Sequence, residues 1–341
     1  MYYVLSILLL FLSCDEKEYT DYNPLIPSNC DYEDITGACC TMDELDCNNI
    51  CNGNSALNCN NLCVSISYLD ACNGCNDINA LNYNESSTDD YNCIYDNPPT
   101  NYTLVWNDEF NSPEIDISRW NFEIWGAGVV NNEEQAYTER VENSYIENGK
   151  LIIKALKENY NGDEYTSARM TTKNKGDWTY GKMEVRAKLP TGLGTWPAFW
   201  MMPTNSVYGG WPNSGEIDIM EHVGCDAGNV HGTIHCNEYN WANNTQQGGT
   251  LNNVLASTGT DIDEFHIYSI VWNENSISWY VDNINYFTYN KSEDNYTSWP
   301  FDQSFFIILN LAIGGDWGGI CSFDTTTFPQ FFEIDYVRVY Q

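Results

Sequence analysis

The part of the chain after residue 100 predicts an all-β fold, and three observations support this prediction. Apolar and polar residues alternate with the period of a half-buried strand, for example over residues 183–189 and 277–281. Turn-forming sequences such as Asn148-Gly149 separate these runs at about strand length. No stretch there has a helical period of useful length. Residues 102–341 are numerous enough to build one β-sandwich with a complete core.

Composition divides the chain into two unlike parts. The first hundred residues contain eleven of the fourteen cysteines and no tryptophan, whereas all twelve tryptophans lie between residues 106 and 317. Many cysteines and few large apolar side chains are typical of small domains that disulfides hold together. We therefore expect a small disulfide-rich module, followed by a separate domain with an apolar core.

The chain begins with a short apolar segment, residues 1–14, which ends at Cys14 and is too short to span a bilayer. Leu12-Ser13-Cys14 fits the loose pattern of a lipoprotein signal, in which the cysteine becomes the acylated first residue. An ordinary secretory signal is the alternative, and it would also export the protein. The sequence thus predicts an outer-membrane or cell-surface lipoprotein, or otherwise a secreted protein. Residues 15–29 would form an acidic tether.

Residues 30–96 contain ten cysteines, from Cys30 to Cys93, and no histidine. An even number of cysteines in an exported chain favours a disulfide framework over the rival interpretation, zinc binding. This stretch resembles a cysteine-bounded repeat of Bacteroidetes surface proteins, which implies a role as a spacer. Residues 97–101, which include Pro98 and Pro99, predict a stiff linker to the second domain.

Three carboxylates in an otherwise apolar run mark the candidate active site. Glu216 and Asp218 alternate with isoleucines, so the two acids share one face of a strand while the isoleucines enter a core. Glu221 has the opposite parity, and one bulged residue at Ile219 or Met220 would return it to the acid face. A solvated strand face or a calcium site is the alternative interpretation of this triplet.

Such a row of acids suits glycoside hydrolysis, in which one carboxylate attacks the anomeric carbon and one carboxylic acid protonates the leaving oxygen. Retention of configuration requires the two carboxyl groups to lie about 5–5.5 Å apart, and inversion requires roughly 6.5–9.5 Å. Glu216 and Glu221 would have to lean towards each other on a concave sheet to reach the shorter distance. Asp218 would push their pKa values apart and help to keep one of them protonated.

The acid motif, with the turn at residues 211–215 before it, resembles glycoside hydrolase family 16, and specifically its bacterial laminarinase-like β-1,3-glucanases. Other blocks of residues 102–341 follow the order of that family, among them residues 106–110, 131–135, 166–169, 180–187, 194–200, 230–235, 314–319 and 332–340. The resemblance implies a jelly-roll β-sandwich of two curved antiparallel sheets. It makes Glu216 the nucleophile, Asp218 the assisting acid and Glu221 the general acid/base.

Tryptophans beside glycine and proline around the acid motif are candidates for sugar stacking, because an indole matches the flat apolar face of a sugar ring. These are Trp196, Trp200, Trp211 and Trp317. Regular alternation places Trp196 and Trp200 on one strand face, as contact with adjacent sugars requires. Core packing is the alternative for them, and it is the preferred interpretation for Trp106, Trp272 and Trp279, which lie in apolar runs.

Polar sugar-binding residues follow from the family resemblance. It makes Asn132 and Arg169 groups that hold sugar hydroxyls. It also places His235 beside the acids, where a strand histidine with satisfied hydrogen bonds is the alternative interpretation.

A structural calcium site is also implied by the resemblance, with no cofactor for catalysis. Glu109, Gly149 and Asp335 map onto that site, and Gly149 would contribute its backbone carbonyl. The alternative is an ordinary pair of solvated acids.

A net charge of −34 limits the partners of this chain. Nucleic acid, anionic lipid and sulfated polysaccharides would all be repelled, whereas a neutral β-glucan would not. Contact with a membrane is therefore expected only through the lipid anchor, and we expect a monomer.

The predicted function is retaining endo-hydrolysis of β-1,3-glucan, with laminarin as the natural source. A β-1,3-1,4-glucanase is the nearest alternative, because the shape of the cleft sets linkage preference. A non-catalytic glucan-binding surface protein would be expected to have lost the glutamates, and a role as a spacer would not explain their presence.

Cys225, Cys236 and Cys321 are an odd number, so they cannot all pair with one another. If residues 216–223 and 230–236 form a hairpin, Cys225 lies near its turn and Cys236 near its far end, which makes a bond between them awkward. Cys321 is then a candidate partner for one of them.

Overall fold

The computed structural model describes residues 102–320 and 328–341, together with four short strands in the first hundred residues. The predicted lipid anchor, the tether, the linker, most of the cysteine-rich module and Cys321 lie outside the described residues. The chain forms two compact units, residues 1–95 and 96–341. Strands of the first unit form two antiparallel pairs, β1 (Tyr32–Glu33) with β2 (Cys39–Cys40) and β3 (Ser55–Leu57) with β4 (Cys63–Ser65).

The second unit is a sandwich of two β-sheets, here called the outer and the inner sheet. The ten-stranded outer sheet has the spatial order β20 (Ile284–Asn290), β19 (Ser276–Val281), β18 (Phe265–Trp272), β13 (Gly181–Lys188), β22 (Gln330–Tyr340), β9 (Lys150–Tyr160), β10 (Asp163–Ser167) and β7 (Gln135–Tyr137). In addition, β5 (Leu104–Asp108) pairs with β22, and β8 (Ser144–Glu147) pairs with β9.

The eight-stranded inner sheet carries the acid motif. Its spatial order is β17 (Gln247–Leu251), β16 (Val230–His235), β15 (Glu216–Glu221), β14 (Thr195–Pro203), β21 (Phe305–Ile313), β11 (Arg169–Thr171) and β6 (Asn121–Phe122), with β12 (Asp177–Trp178) beside β21. Helices in the described part of this unit are short: α1 (Val254–Thr258), α2 (Gly315–Gly318) and a 3-10 turn at Trp241–Asn243. None of the described helices is long and apolar enough to span a bilayer.

One strand pair departs from the predicted antiparallel arrangement. Strands β7 and β10 are parallel, with Tyr165 opposite Gln135 and Ser167 opposite Tyr137. The chain passes through β8 and β9 between them, so no tight hairpin forces opposite directions on the pair. The other paired strands described in this unit are antiparallel.

Alternation of side chains builds one apolar core between the two sheets. All nine residues of β21 are buried, as expected for a strand at the centre of a sandwich. Trp272 and Trp279 are fully buried, and Trp106 packs against the same core. The core assignment of these three tryptophans is confirmed. The predicted turn at Asn148 and Gly149 is also confirmed, since both residues adopt positive φ between β8 and β9.

Candidate active site

A β-bulge brings the three acids of β15 onto one face of the inner sheet. The pairing of β15 with both of its neighbours shifts between Asp218 and Glu221. Asp218 and Met220 oppose consecutive residues of β14, so Ile219 is the extra residue, and its side chain is buried in the core. The predicted bulge is thus confirmed, and it places Glu221 beside Glu216 and Asp218.

Each glutamate accepts a hydrogen bond from a tryptophan. Trp211 Nε1 donates to Glu216 Oε2 over 2.7 Å, and Trp196 Nε1 donates to Glu221 Oε1 over 3.0 Å. An indole N–H can only donate, so these contacts orient the carboxyl oxygens and stabilise their ionised forms. Both tryptophans therefore lie in the site, next to the two predicted catalytic groups.

His235 lies next to the middle acid. Its Nε2 atom is 3.2 Å from Asp218 Oδ2, and both side chains are almost entirely buried. His235 is also opposite Glu216 in the pairing of β15 with β16. The proximity of His235 lowers the pKa values of Glu216 and Glu221, against the larger effect of burial.

Burial raises the pKa of all three carboxyl groups. The pKa of Glu216 rises from 4.5 to about 8, first through burial and then through the charge of Asp218. Burial raises the pKa of Asp218 to about 7, against a hydrogen bond with Glu216. Burial and then the charge of Asp218 hold the pKa of Glu221 well above its usual range. A raised pKa at Glu221 favours a retained proton there, as general-acid chemistry requires, whereas a nucleophile in the same row has to be ionised when it attacks.

Metal binding explains this row of acids less well than catalysis does. Among the described residues, Glu216, Asp218 and His235 are the one group with donor atoms close enough to share an ion, within 4.8 Å of one another. Calcium takes about six to eight oxygen ligands, whereas this group offers two carboxylates and a nitrogen. Trp211 already occupies one oxygen of Glu216. The donor set does not fit the calcium interpretation of the triplet.

Trp200 and Arg169 lie side by side on the β14 side of the acids. The Arg169 guanidinium carbon is 4.6 Å from the Trp200 ring centroid and 5.1 Å from that of Trp125, and Arg169 is paired with Glu123. Trp200 Nε1 donates to Asn310 Oδ1 over 2.7 Å. A fixed indole beside a guanidinium group offers one surface for a sugar ring and donors for its hydroxyls.

Trp317 lies near the Glu221 end of the row. Its ring packs edge to face against Trp196, with centroids 5.6 Å apart, and against His231, with centroids 5.0 Å apart. Asn132 is exposed and donates to Asp316 Oδ1 over 2.7 Å, so it lies beside the short helix α2 that carries Trp317. Trp196, Trp211 and His235 thus contact the acids. Trp317 and Asn132 lie further out, next to Trp196 and to α2.

Sequence reasoning did not select His231 or Asn310, although each has a recognisable signal. His231 has the same parity as His235 in β16, which places both on the acid-bearing face. Asn310 is the only polar residue in β21 and is almost fully buried. A buried polar side chain in an apolar strand needs partners, and here Asn310 Oδ1 accepts from Trp200 while its Nδ2 donates to Tyr137.

The residues predicted to bind calcium meet in the outer sheet. Asp335 lies where β22 stops pairing with β9 and starts pairing with β5. Glu109 directly follows β5, and Gly149 lies in the turn that precedes β9.

Both carboxylates at that place are paired with arginine. Arg338 binds Glu109 with two hydrogen bonds of 2.8 Å, and Arg186 Nη1 lies 2.6 Å from Asp335 Oδ2. The donor atoms suit calcium, but an ion there would compete with the two guanidinium groups.

Cysteine pairing in the second unit follows the prediction in part. Cys225 is disulfide-bonded, whereas Cys236 is free and buried. Cys225 and Cys236 are therefore not bonded to each other, as predicted.

The fold and the site define a class of protein. The inner sheet presents two glutamates, each hydrogen-bonded to a tryptophan, on either side of a buried aspartate. A tryptophan stacked on an arginine lies beside them. This arrangement on a β-sandwich is that of a glycoside hydrolase. Residues 123–337 match the family described as Glycosyl hydrolases family 16. The chain belongs to this family, and its predicted jelly-roll fold is confirmed.

Similar proteins agree with this placement. The Beta-glucanase of Rhodothermus marinus is 45% identical over 249 residues, which cover 70% of this chain and 85% of that protein. The structure of the laminarinase from Rhodothermus marinus matches with a TM-score of 0.66 and 45% identity, over 70% of this chain and 97% of that one. A mutant of SCLam, a non-specific endo-beta-1,3(4)-glucanase co-crystallized with 1,3-beta-D-cellotriosyl-glucose, matches with a TM-score of 0.67 and 42% identity, over 71% of this chain and 96% of that one.

Proposed function

We propose that this chain cleaves internal β-1,3-glucosidic bonds of laminarin-type β-glucan with retention of configuration. The observation that carries the proposal is the bulge at Ile219, because it puts Glu216 and Glu221 on one face with Asp218 between them. The similarity to a solved laminarinase supports the β-1,3 linkage. The charge of −34 favours a neutral polysaccharide over a sulfated one.

The proposed reaction is a double displacement. Glu216 attacks the anomeric carbon while Glu221 protonates the leaving glucosyl oxygen, which gives a covalent glycosyl-enzyme and releases one part of the chain. Glu221, now ionised, takes a proton from water, and that water displaces Glu216 from the anomeric carbon. Asp218 modulates the protonation of both glutamates. Side chains and water supply every group in this scheme, so it needs no cofactor.

A β-1,3-1,4-glucanase remains the second candidate, because a similar structure is that of a non-specific endo-beta-1,3(4)-glucanase. A purely glucan-binding role is disfavoured, because both glutamates are present and hydrogen-bonded in the site. All the groups named come from one chain, which supports a monomer as the working unit.

The deciding experiment incubates the full chain with laminarin, lichenan, agarose and carrageenan, and sizes the products. We expect oligosaccharides of several lengths from laminarin, and initial products of β configuration by NMR. Cleavage of lichenan alone would favour the second candidate. Products from agarose or carrageenan only, or initial α configuration, would contradict the proposal.

We further propose that the chain is exported and anchored to the outer membrane through Cys14. The disulfide at Cys225 supports export, since disulfides persist in oxidising compartments. Metabolic labelling with a palmitate analogue tests the anchor. We expect label in the wild type and none in Cys14→Ser, and recovery of unlabelled wild type from the medium would instead indicate an ordinary secretory signal.

A further inference from the structure

Trp241 has an unusual position for a tryptophan in this protein. All twelve tryptophans lie within the described residues, and only Trp211 and Trp241 are among the exposed large apolar side chains, with 41% and 51% exposure. Single exposed apolar residues are common on protein surfaces and need no explanation. Trp241 is not isolated, however, because its ring centroid lies 6.4 Å from that of Trp211. The two indoles therefore form one exposed apolar surface.

This surface is continuous with the catalytic acids. Trp211 donates to Glu216, and its ring lies 6.1 Å from that of His235. Trp241 lies in the connection from β16 to β17, whereas Trp200 and Arg169 lie on the opposite side of β15, on β14 and β11. The surface around Trp241 therefore extends the site in the direction away from Trp200.

The turn that carries Trp241 is held by its own hydrogen bonds. The buried side chain of Asn240 caps the turn, accepting from Asn243 N and donating to the carbonyls of Cys236 and Asn237. The turn ends at Asn244, which adopts a left-handed conformation and donates its N–H to the Trp241 carbonyl. These bonds fix the backbone that carries the indole, so stacking on Trp241 does not have to order the turn as well.

A second contact fixes this turn relative to the loop of Trp211. Asn237 Nδ2 donates to Asn213 Oδ1 over 2.7 Å, and Asn213 belongs to the loop that carries Trp211. The distance between the two indoles is thus set by the fold as well as by their own contact.

The chemistry around Trp241 indicates a neutral, hydroxyl-rich ligand. Residues 240–247 contain no charged side chain and four amide side chains besides Asn240, all of them exposed. Amides both donate and accept, so they suit sugar hydroxyls. An exposed indole beside them suits the apolar face of a hexose ring.

We propose that Trp241 is a stacking platform for a glucosyl residue of the same glucan chain, on the side of the acids opposite Trp200 and Arg169. This rests on the proposed function, because the ligand is a longer stretch of the substrate that is cleaved at Glu216. Trp241 makes no contact with the acids, so its role is to bind polymer beyond the cleavage point. Its contribution depends on substrate length.

The test measures kcat/KM on a ladder of reducing-end-labelled β-1,3-gluco-oligosaccharides for the wild type, Trp241→Ala and Trp241→Tyr. We expect Trp241→Ala to lower kcat/KM about 5- to 150-fold on oligosaccharides long enough to reach the platform, from the usual strength of ring stacking. The shortest cleaved oligosaccharide should be unaffected, and the preferred cleavage position on long ones should shift. Trp241→Tyr keeps an aromatic face and should retain most of the activity.

Leu255→Ala is the matched control, because Leu255 is an apolar residue with 49% exposure on α1 and is not part of the site. It should leave the whole ladder unchanged. The same loss on every length, or no loss on any, would overturn the platform. If the wild type cleaves no member of the ladder, the proposed function fails instead. The same variants on a mixed-linkage ladder then test the platform separately.

Discussion

Trp279 donates a hydrogen bond of 2.7 Å from its indole nitrogen to the backbone carbonyl of Asp218. Trp279 belongs to the outer sheet and is fully buried, so this bond crosses the core of the sandwich. Asp218 is the last residue of β15 before the bulge, and a bulge disrupts the regular ladder. The bond also depends on Gly232, because a Cβ there would lie 2.3 Å from the Trp279 ring. The core side of the bulge is therefore fixed by a buried tryptophan.

The first prediction concerns Trp279→Phe, which removes this hydrogen bond while keeping an aromatic ring. We expect kcat/KM on laminarin to fall about tenfold or more, because the bulge that orients Asp218 and Glu221 loses a bond of roughly 1 kcal/mol and leaves a buried carbonyl unpaired. Trp272→Phe is the matched control. Trp272 is equally buried, but its indole donates to the Phe301 carbonyl, outside β15.

Both variants should lose stability by a similar amount in chemical denaturation. Equal catalytic losses in Trp279→Phe and Trp272→Phe would contradict a specific role for the contact between Trp279 and Asp218.

The acid row could be predicted from the sequence because the pattern that defines it spans only a few neighbouring residues. The parity of Glu216 and Asp218, the odd position of Glu221 and the turn at Asn148 and Gly149 are visible in a few residues. Alternation of apolar and polar residues is expected wherever one face of a strand is buried, so a break in it marks a bulge. The sequence narrowed the bulge to Ile219 or Met220, and in the structure it is at Ile219.

Contacts between distant strands could not be predicted in the same way. Arg169 on β11 and Trp200 on β14 are separated by β21, and their contact depends on the order of strands in the sheet. The parallel pairing of β7 with β10 depends on the same long-range topology. Trp279 was expected in the core, but its hydrogen bond to the bulge requires the two sheets to be stacked in one register. Periodicity along the chain carries no information on strand order.

The second prediction separates the roles of the two glutamates. Glu216→Gln should abolish hydrolysis while oligosaccharide binding persists, because the change is nearly isosteric and removes only the nucleophile. On an aryl β-glucoside, whose leaving group needs no protonation, azide should restore turnover to Glu221→Ala by replacing the activated water in the second displacement, and the product should be a β-glycosyl azide. NMR of the isolated azide checks this. An α-glycosyl azide, or full activity of Glu216→Gln, would show that the roles are assigned wrongly.

The third prediction concerns the hydrogen bond from Trp196 to Glu221. This bond favours the ionised carboxylate and so lowers the pKa of Glu221, against burial and the charge of Asp218, which raise it. Trp196→Phe should therefore raise that pKa and move the alkaline limb of the kcat/KM profile upwards, by about one pH unit for roughly 1.4 kcal/mol of lost interaction. Trp200→Phe is the control, because its indole donates to Asn310 and not to an acid. An unchanged alkaline limb in Trp196→Phe would argue against Glu221 as the acid.

The fourth prediction is a dependence of stability on pH. The pKa of Glu216 in the folded state is about 8, against an ordinary value of 4.5, so the folded protein holds the extra proton between these values. Its contribution to stability is complete below about pH 4.5 and is lost as the pH rises towards 8. Asp218, whose pKa is raised to about 7, adds to the same decline.

Glu216→Gln removes one titrating group from this window. The free energy of unfolding of Glu216→Gln should be equal to or lower than that of the wild type near pH 4, and higher near pH 8. The reason is that each proton held only by the folded state makes the free energy of unfolding fall by up to about 1.4 kcal/mol per pH unit. Urea denaturation across this range checks the difference, with Glu139→Gln as an exposed control. Parallel curves for Glu216→Gln and the wild type would show that Glu216 titrates normally in the folded state.

The fifth prediction is that calcium binds where Glu109, Gly149 and Asp335 meet in the outer sheet. Calcium that binds only the folded protein raises the melting temperature as its concentration increases. Since each carboxylate is paired with an arginine, the ion has to displace part of that pairing, and we expect weak binding that needs a large excess of calcium. Magnesium at the same concentration is the control for ionic strength.

Asp335→Asn should remove the calcium-dependent rise in melting temperature, because it deletes one of the two charged ligands. Glu139→Gln changes charge at an exposed position of the same unit and should preserve the rise. The acid row lies in the inner sheet and the predicted calcium ligands lie in or beside strands of the outer sheet, so kcat at low temperature should not depend on calcium. A melting temperature unaffected by both calcium and a chelator would contradict this prediction. It would mean that Glu109 and Asp335 bind only their arginine partners.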